Sequence, residues 1–140
     1  MTPSSSGTED ASLHRKHDGT PPTLGIDIDG TIDEGPAFFR TLAAIWPGRV
    51  IIITYRRDRA QAEAELVRLG IRYHDLILVS SFDAKAEVIE RERVDVYFDD
   101  QPEMLRAIPA HVNVMLVRNE GNFCFTDRLW LFSDQTGRQV

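Results

Sequence analysis

Thr23-Leu24-Gly25-Ile26-Asp27-Ile28-Asp29-Gly30-Thr31 sets the pattern for the rest of the chain. An apolar run breaks off in two carboxylates, a glycine and a hydroxyl. A short continuous apolar run bounded by polar residues reads as a strand buried on both faces, as in parallel sheets. Four further runs have strand length, and most are rich in Val and Ile: Val50–Ile53, Leu76–Val79, Val94–Phe98 and Val112–Val117. Helical patterns separate them. Pro36 opens the first at a favoured position, and Pro47-Gly48 closes it. Asp58 reads as the N-cap of the second and Gly70 as its left-handed stop. Asp83 is the expected cap of a third, running to about Arg91, and a short fourth starts near Pro102. Strand–helix alternation at this spacing predicts right-handed βαβ units. The expected fold is therefore α/β, a three-layer Rossmann-like domain on a mainly parallel sheet of five or more strands.

Ahead of this core, residues 1–22 are rich in Ser, Thr, Pro, Gly and charge. They read as a disordered tail, since they offer too little apolar surface to offset the entropy of ordering. His14 and His17 lie there, and a solvated tail is the simpler account of them than a metal site. The core is assigned to residues 23–140, with no internal repeat.

Composition narrows the function. The 140 residues are 42% hydrophobic and 27% charged, the balance of an ordinary globular chain. Sixteen basic against twenty-two acidic residues leave a net charge of −6, which argues against holding duplex nucleic acid by its phosphates. A single cysteine, Cys124, excludes an intrachain disulfide and favours a reducing, cytoplasmic compartment. The aliphatic run Val50–Ile53 is far shorter than the about 20 apolar residues that span a bilayer, and the N-terminus has no apolar stretch of signal-peptide type.

In open parallel sheets, chemistry collects beyond the carboxyl ends of the strands. Asp27, Asp29 and Thr31 follow the first run, Thr54 the second and Asp99-Asp100 the fourth; Lys85 opens the helix after the third. Parallel strands would bring these clusters to one edge. Carboxylates supply a nucleophile, a proton carrier and hard oxygen ligands for Mg²⁺. A lysine and a hydroxyl can hold phosphoryl oxygens. Converging acids with one ammonium would not all stay ionised without a cation, and the absence of His and Cys from these clusters points to Mg²⁺. The lysine is informative because the chain has fourteen arginines and two lysines, one of them in the tail.

Taken in order, Asp27-Ile28-Asp29-Gly30-Thr31, Thr54, Lys85 and Asp99-Asp100 resemble the motifs of the haloacid dehalogenase-like superfamily, over about residues 23–117. The resemblance implies a Mg²⁺-dependent phosphomonoester hydrolase. Asp27 would be the nucleophile and form an aspartyl-phosphate. Asp29 would be the acid and base, and Thr54 and Lys85 would hold the transferring group. The metal would be held by Asp27, Asp29 (through its main-chain carbonyl), Asp99 and Asp100, with Asp100 the better candidate of the last pair. Only 22 residues separate Thr31 from Thr54 and 30 separate Thr54 from Lys85, so no cap domain is expected and the site should be open. The implied partner is a phosphorylated small molecule, nucleotide or macromolecule.

Tyr55 would narrow the pocket or stack on a base, and Arg56 would add a phosphate contact; Arg57 and Arg59 read as solvated. The aromatic stretch from Arg118 to Phe132 is expected to pack on the sheet as a final strand or loop. The alternatives are a phosphoacceptor domain of receiver type, a phosphate-binding module with little turnover, and a structural α/β domain whose acids are caps. The first has its acid pair early and its lysine late, the reverse of this order.

Overall fold

In a computed structural model, residues 19–131 are described. Residues 1–18 of the expected tail, with both of its histidines, and residues 132–140 lie outside them. Five strands form one parallel sheet: β1 (Leu24–Ile26), β2 (Val50–Thr54), β3 (Asp75–Leu78), β4 (Val96–Asp99) and β5 (Asn113–Leu116). Their order is β3-β2-β1-β4-β5, with Ile26 in register with both Ile52 and Phe98. A 3-10 turn at Ile32–Glu34 precedes α1 (Pro36–Ile45), followed by α2 (Arg59–Leu69), α3 (Phe82–Arg91) and α4 (Pro102–Leu105).

The alternation of side chains along β2 explains the three layers. Val50 and Ile52 face Phe39 and Ala43 of α1 and Ala62, Leu66 and Leu69 of α2. Ile51 and Ile53 face Val88 and Ile89 of α3, together with Tyr97, Leu105 and Val112. Every residue of β2 is buried, as its unbroken aliphatic run requires. The chain steps outward from β1 to β3, then crosses to the other side of β1 to place β4. The sheet therefore has its topological switch point between β1 and β4, where ligand crevices form.

The ends of the helices follow local chemistry. Asp58 accepts a hydrogen bond from the Gln61 amide at 3.0 Å, and Gly70, at φ 73°, donates back to Leu66 and Val67. The start of α3 differs from expectation. Ser81, not Asp83, caps it, accepting from the Ala84 amide at 3.1 Å. Asp83 instead lies in the first turn, where its charge suits the helix dipole. At the other end of the sheet, Trp46 Nε1 donates to the Pro22 carbonyl at 2.7 Å, tying the start of the core to α1.

The last segment also departs from expectation. Phe123–Cys124 (β6) and Leu129–Trp130 (β7) pair with each other as an antiparallel ribbon and do not extend the parallel sheet. Phe123 packs edge-on against Phe125 and Trp130, and the Arg118 guanidinium lies 4.8 Å from the Phe123 ring centre. Four residues of turn between such short strands favour self-pairing over addition to β5. Between Thr31 and Lys85 the chain forms only the 3-10 turn, α1, α2, two strands and the start of α3, so there is no cap domain. Among the described residues, no helix is long and apolar enough to cross a membrane.

Candidate active site

Asp27 stands one residue beyond β1, its amide bonded to the Phe98 carbonyl of the neighbouring strand. Asp99 ends β4 and Asp100 follows it. Carboxylate oxygens of Asp27, Asp99 and Asp100 lie within 4.8 Å of one another, and all three residues are buried. The cluster sits at the switch point. Lys85, in the first turns of α3, reaches into it from below. Its ammonium donates to Asp27 Oδ1 at 2.9 Å and to Asp99 Oδ2 at 2.7 Å. The sequence separations of 58 and 14 residues are closed by the parallel pairing of β1 with β4 and the packing of α3 on the sheet.

Asp99 is saturated by donors. Oδ1 accepts the amides of Asp100 and Gln101 at 2.6 and 3.0 Å; Oδ2 accepts Lys85 and the Tyr97 hydroxyl, the latter at 2.5 Å. Tyr97 can reach it because Gly25 lies opposite on β1. A side chain at Gly25 would press on the Tyr97 ring at about 3.0 Å. Asp27 is more open, with Lys85 on one oxygen and the Thr31 hydroxyl at 3.4 Å from the other.

The charges are strained by burial. It pushes the Asp27 carboxyl well above the usual carboxylate range; Lys85 opposes this, and Asp99 and Asp100 reinforce it. Burial alone would lower the Lys85 ammonium, but Asp27 and Asp99 outweigh it and hold it up. The Tyr97 hydroxyl is pushed well up by burial and then by Asp99, so it remains a donor. Were all three carboxylates ionised, the one ammonium would leave two negative charges in a buried space. Each carboxylate pair repels by about 3 kcal/mol or more at an effective dielectric of about 20. An all-oxygen set with that excess charge fits a hard divalent cation such as Mg²⁺. The Thr54 hydroxyl, at the end of β2, is fully buried with no hydrogen-bond partner among the described residues.

Asp29 departs from the expected convergence of four acids. Its side chain is 46% exposed and turned toward β2, where Arg56 grips it with two bonds, Nε to Oδ2 at 3.0 Å and Nη2 to Oδ1 at 2.7 Å. The bond to Asp29 holds the Arg56 guanidinium up, against the effect of its burial. Arg56 also reaches Glu65 at 3.3 Å, so this arginine is committed to carboxylates. Arg59 donates to the Leu76 carbonyl at 2.9 Å.

Three residues of the site escaped the sequence reading. Tyr97 reads as a strand aromatic. Asn119 donates to Asp100 Oδ2 at 3.0 Å and to the Gly30 carbonyl at 2.8 Å. Asn122 donates to the Asp100 carbonyl at 2.8 Å and to Val117 at 2.7 Å. Both asparagines are buried, and they fold the loop after β5 over Asp100. The signal was the spacing Asn119-Glu120-Gly121-Asn122, a turn-forming set; nothing local shows that it turns inward.

Fold and site together define an open parallel α/β domain with a buried acidic cluster, bridged by lysine, at its switch point. No family model matches the chain, and no curated protein matches it. Among solved structures, a universal stress protein in complex with cAMP matches over 69% of this chain and 98% of that chain, at 14% identity and a TM-score of 0.46. The resemblance to the haloacid dehalogenase-like superfamily is corrected accordingly. No family model supports the superfamily, a solved structure that matches is described as a universal stress protein, and the chain is not assigned to the superfamily. The physical reason is general: any open α/β sheet can gather acids and a lysine at its carboxyl edge, so such motifs speak to a site's chemistry and not to descent.

Proposed function

We propose that the domain hydrolyses phosphomonoesters with Mg²⁺, through an aspartyl-phosphate on Asp27. The observation that carries this reading is the Lys85 ammonium bonded to both Asp27 and Asp99, with Asp100 alongside, in the crevice between β1 and β4.

Asp27 and Asp100 would hold the metal, and the Asp29 main chain would join them. Asp99 has its oxygens taken by four donors and serves to fix Lys85. The bound cation would supply charge neutralisation for the phosphoryl oxygens and keep Asp27 ionised. An Asp27 oxygen attacks phosphorus, the bond to the leaving oxygen breaks, and that oxygen takes the proton of Asp29. Asp29 then removes a proton from water, which attacks phosphorus, releases phosphate and restores the Asp27 carboxylate. Lys85 and the Thr54 hydroxyl hold the equatorial oxygens as charge builds on them. To act, Asp29 must leave Arg56 and swing toward the leaving oxygen. A soluble phosphorylated substrate and a reducing, cytoplasmic setting go with this reading.

The test is hydrolysis of p-nitrophenyl phosphate with and without Mg²⁺. Wild type should turn over only with the metal, and Asp27→Asn should lose activity with its fold intact by circular dichroism. Comparable turnover by the variant would sink the assignment. One observation favours a second reading, a phosphoacceptor with little turnover: Arg56 occupies both oxygens of the proton carrier. A phosphoenzyme lasting minutes rather than seconds would select it.

A further inference from the structure

The carboxyl ends of β2 and β3 frame a cavity of about 280 Å³, lined by Tyr55, Arg56, Arg57, Leu78, Val79 and Ser80. Arg56 lines the cavity and also grips Asp29, so one side chain connects its wall to the residue proposed to protonate the leaving oxygen. Toward β5, the space beside Asp100 is filled by buried Asn119 and Asn122. A leaving group attached to phosphorus at Asp27 therefore has room on the β2–β3 side.

The chemistry of the cavity is asymmetric. The charge of Arg56 is neutralised by Asp29 and Glu65. Arg57 is exposed and makes no ion pair or hydrogen bond among the described residues. The cavity thus offers an aliphatic wall from Leu78 and Val79, a Tyr55 ring, the Ser80 hydroxyl and one uncompensated guanidinium. A guanidinium fork on such a surface suits a carboxylate or phosphate, which it can bind with two parallel bonds.

We propose that this cavity is the leaving-group site, and that Arg57 selects phosphomonoesters whose leaving group carries an anion of its own. The proposal rests on the phosphatase reading above. It ascribes substrate selection to an arginine that the sequence suggests is merely solvated.

The experiment compares kcat/KM for glycerol phosphate, phosphoglycerate and glycerol bisphosphate in wild type, Arg57→Gln and Arg57→Lys. These esters share a three-carbon skeleton and differ in the charge on the leaving group. Wild type should prefer one or both charged esters by about tenfold, the worth of one hydrogen bond between charged groups. Which charged ester gains more separates a carboxylate from a second phosphate as the preferred anion. Arg57→Gln should bring the charged-to-neutral ratio down toward one, chiefly through KM, and Arg57→Lys should restore part of it. Equal use of all three esters by wild type overturns the proposal, as does a ratio untouched in Arg57→Gln. If wild type hydrolyses none of them and not p-nitrophenyl phosphate either, the phosphatase reading itself fails, and the cavity assignment goes with it.

Discussion

Asp99 and Asp100 are adjacent in sequence and opposite in circumstance. Asp99 directs its lone pairs to two amides, Lys85 and Tyr97, while Asp100 accepts from the Asn119 side chain on Oδ2. Residues that orient a ligand in this way commonly cost about 10–100-fold in metal affinity when removed. Asn119→Ala is expected to weaken Mg²⁺ binding by that order in isothermal titration of the purified protein, before any substrate is added. Unaltered affinity would show that Asp100 needs no such support. Asp29 yields a second prediction at this scale. Asp29→Asn should slow hydrolysis of an alkyl phosphate by about 10²–10⁴-fold, because general acid catalysis is lost with a poor leaving group. The loss should be smaller with p-nitrophenyl phosphate, whose leaving group needs less help. Equal losses on both esters would remove Asp29 from the proton transfer.

At the scale of elements, α3 carries Lys85 into the cluster, so its first turn matters more than its sequence suggests. Ser81 provides the cap through its bond to the Ala84 amide, and Asp83 contributes only its charge to the helix start. Ser81→Ala should cost about 1 kcal/mol of stability by urea denaturation, and Asp83→Ala less. The reverse ranking would return the cap to Asp83. Both residues are good caps by type, and nothing local says which one has extended backbone; Ser81 has it, at φ −153° and ψ 163°. The strands were plainer. Val50–Thr54 is aliphatic to its end and is buried along its length, so local pattern and tertiary environment agree. The ribbon of β6 and β7 was not legible, because two-residue strands have too little pattern to reveal their partner.

For the whole molecule, the proposed metal site predicts that stability depends on both metal and pH. The Asp27 carboxyl lies above its ordinary range when folded, so the folded state holds that proton more tightly than the unfolded chain does. The stability this gives is complete below the ordinary carboxylate value and is lost as pH rises through the folded one. A divalent cation binds the carboxylate form, so its stabilisation should grow over the same rise. Mg²⁺ at about a hundred times its Kd should add about 2.7 kcal/mol. The rise in Tm should be larger at about pH 8 than at about pH 5, and Asp27→Asn should flatten that difference. A pH-independent shift, or none, would mean that the cluster does not take the ion.

The chain's own order of residues determined the α/β alternation, the strand positions and the identity of Asp27, Thr54, Asp99 and Asp100 as polar groups at strand ends, with Lys85 in the opening of a helix. Apolar periodicity and turn chemistry act over a few neighbours, and a linear reading captures them. Only the tertiary structure decided that Asp29 turns away to Arg56, that Tyr97 and Asn119 join the cluster, and that a cavity opens beside Arg57. Those outcomes depend on side-chain direction and on contacts across as many as 89 residues of sequence, as between Asn119 and Gly30. Such contacts are set by how the strands pair and which loops meet at the sheet edge, information that no short window of residues contains.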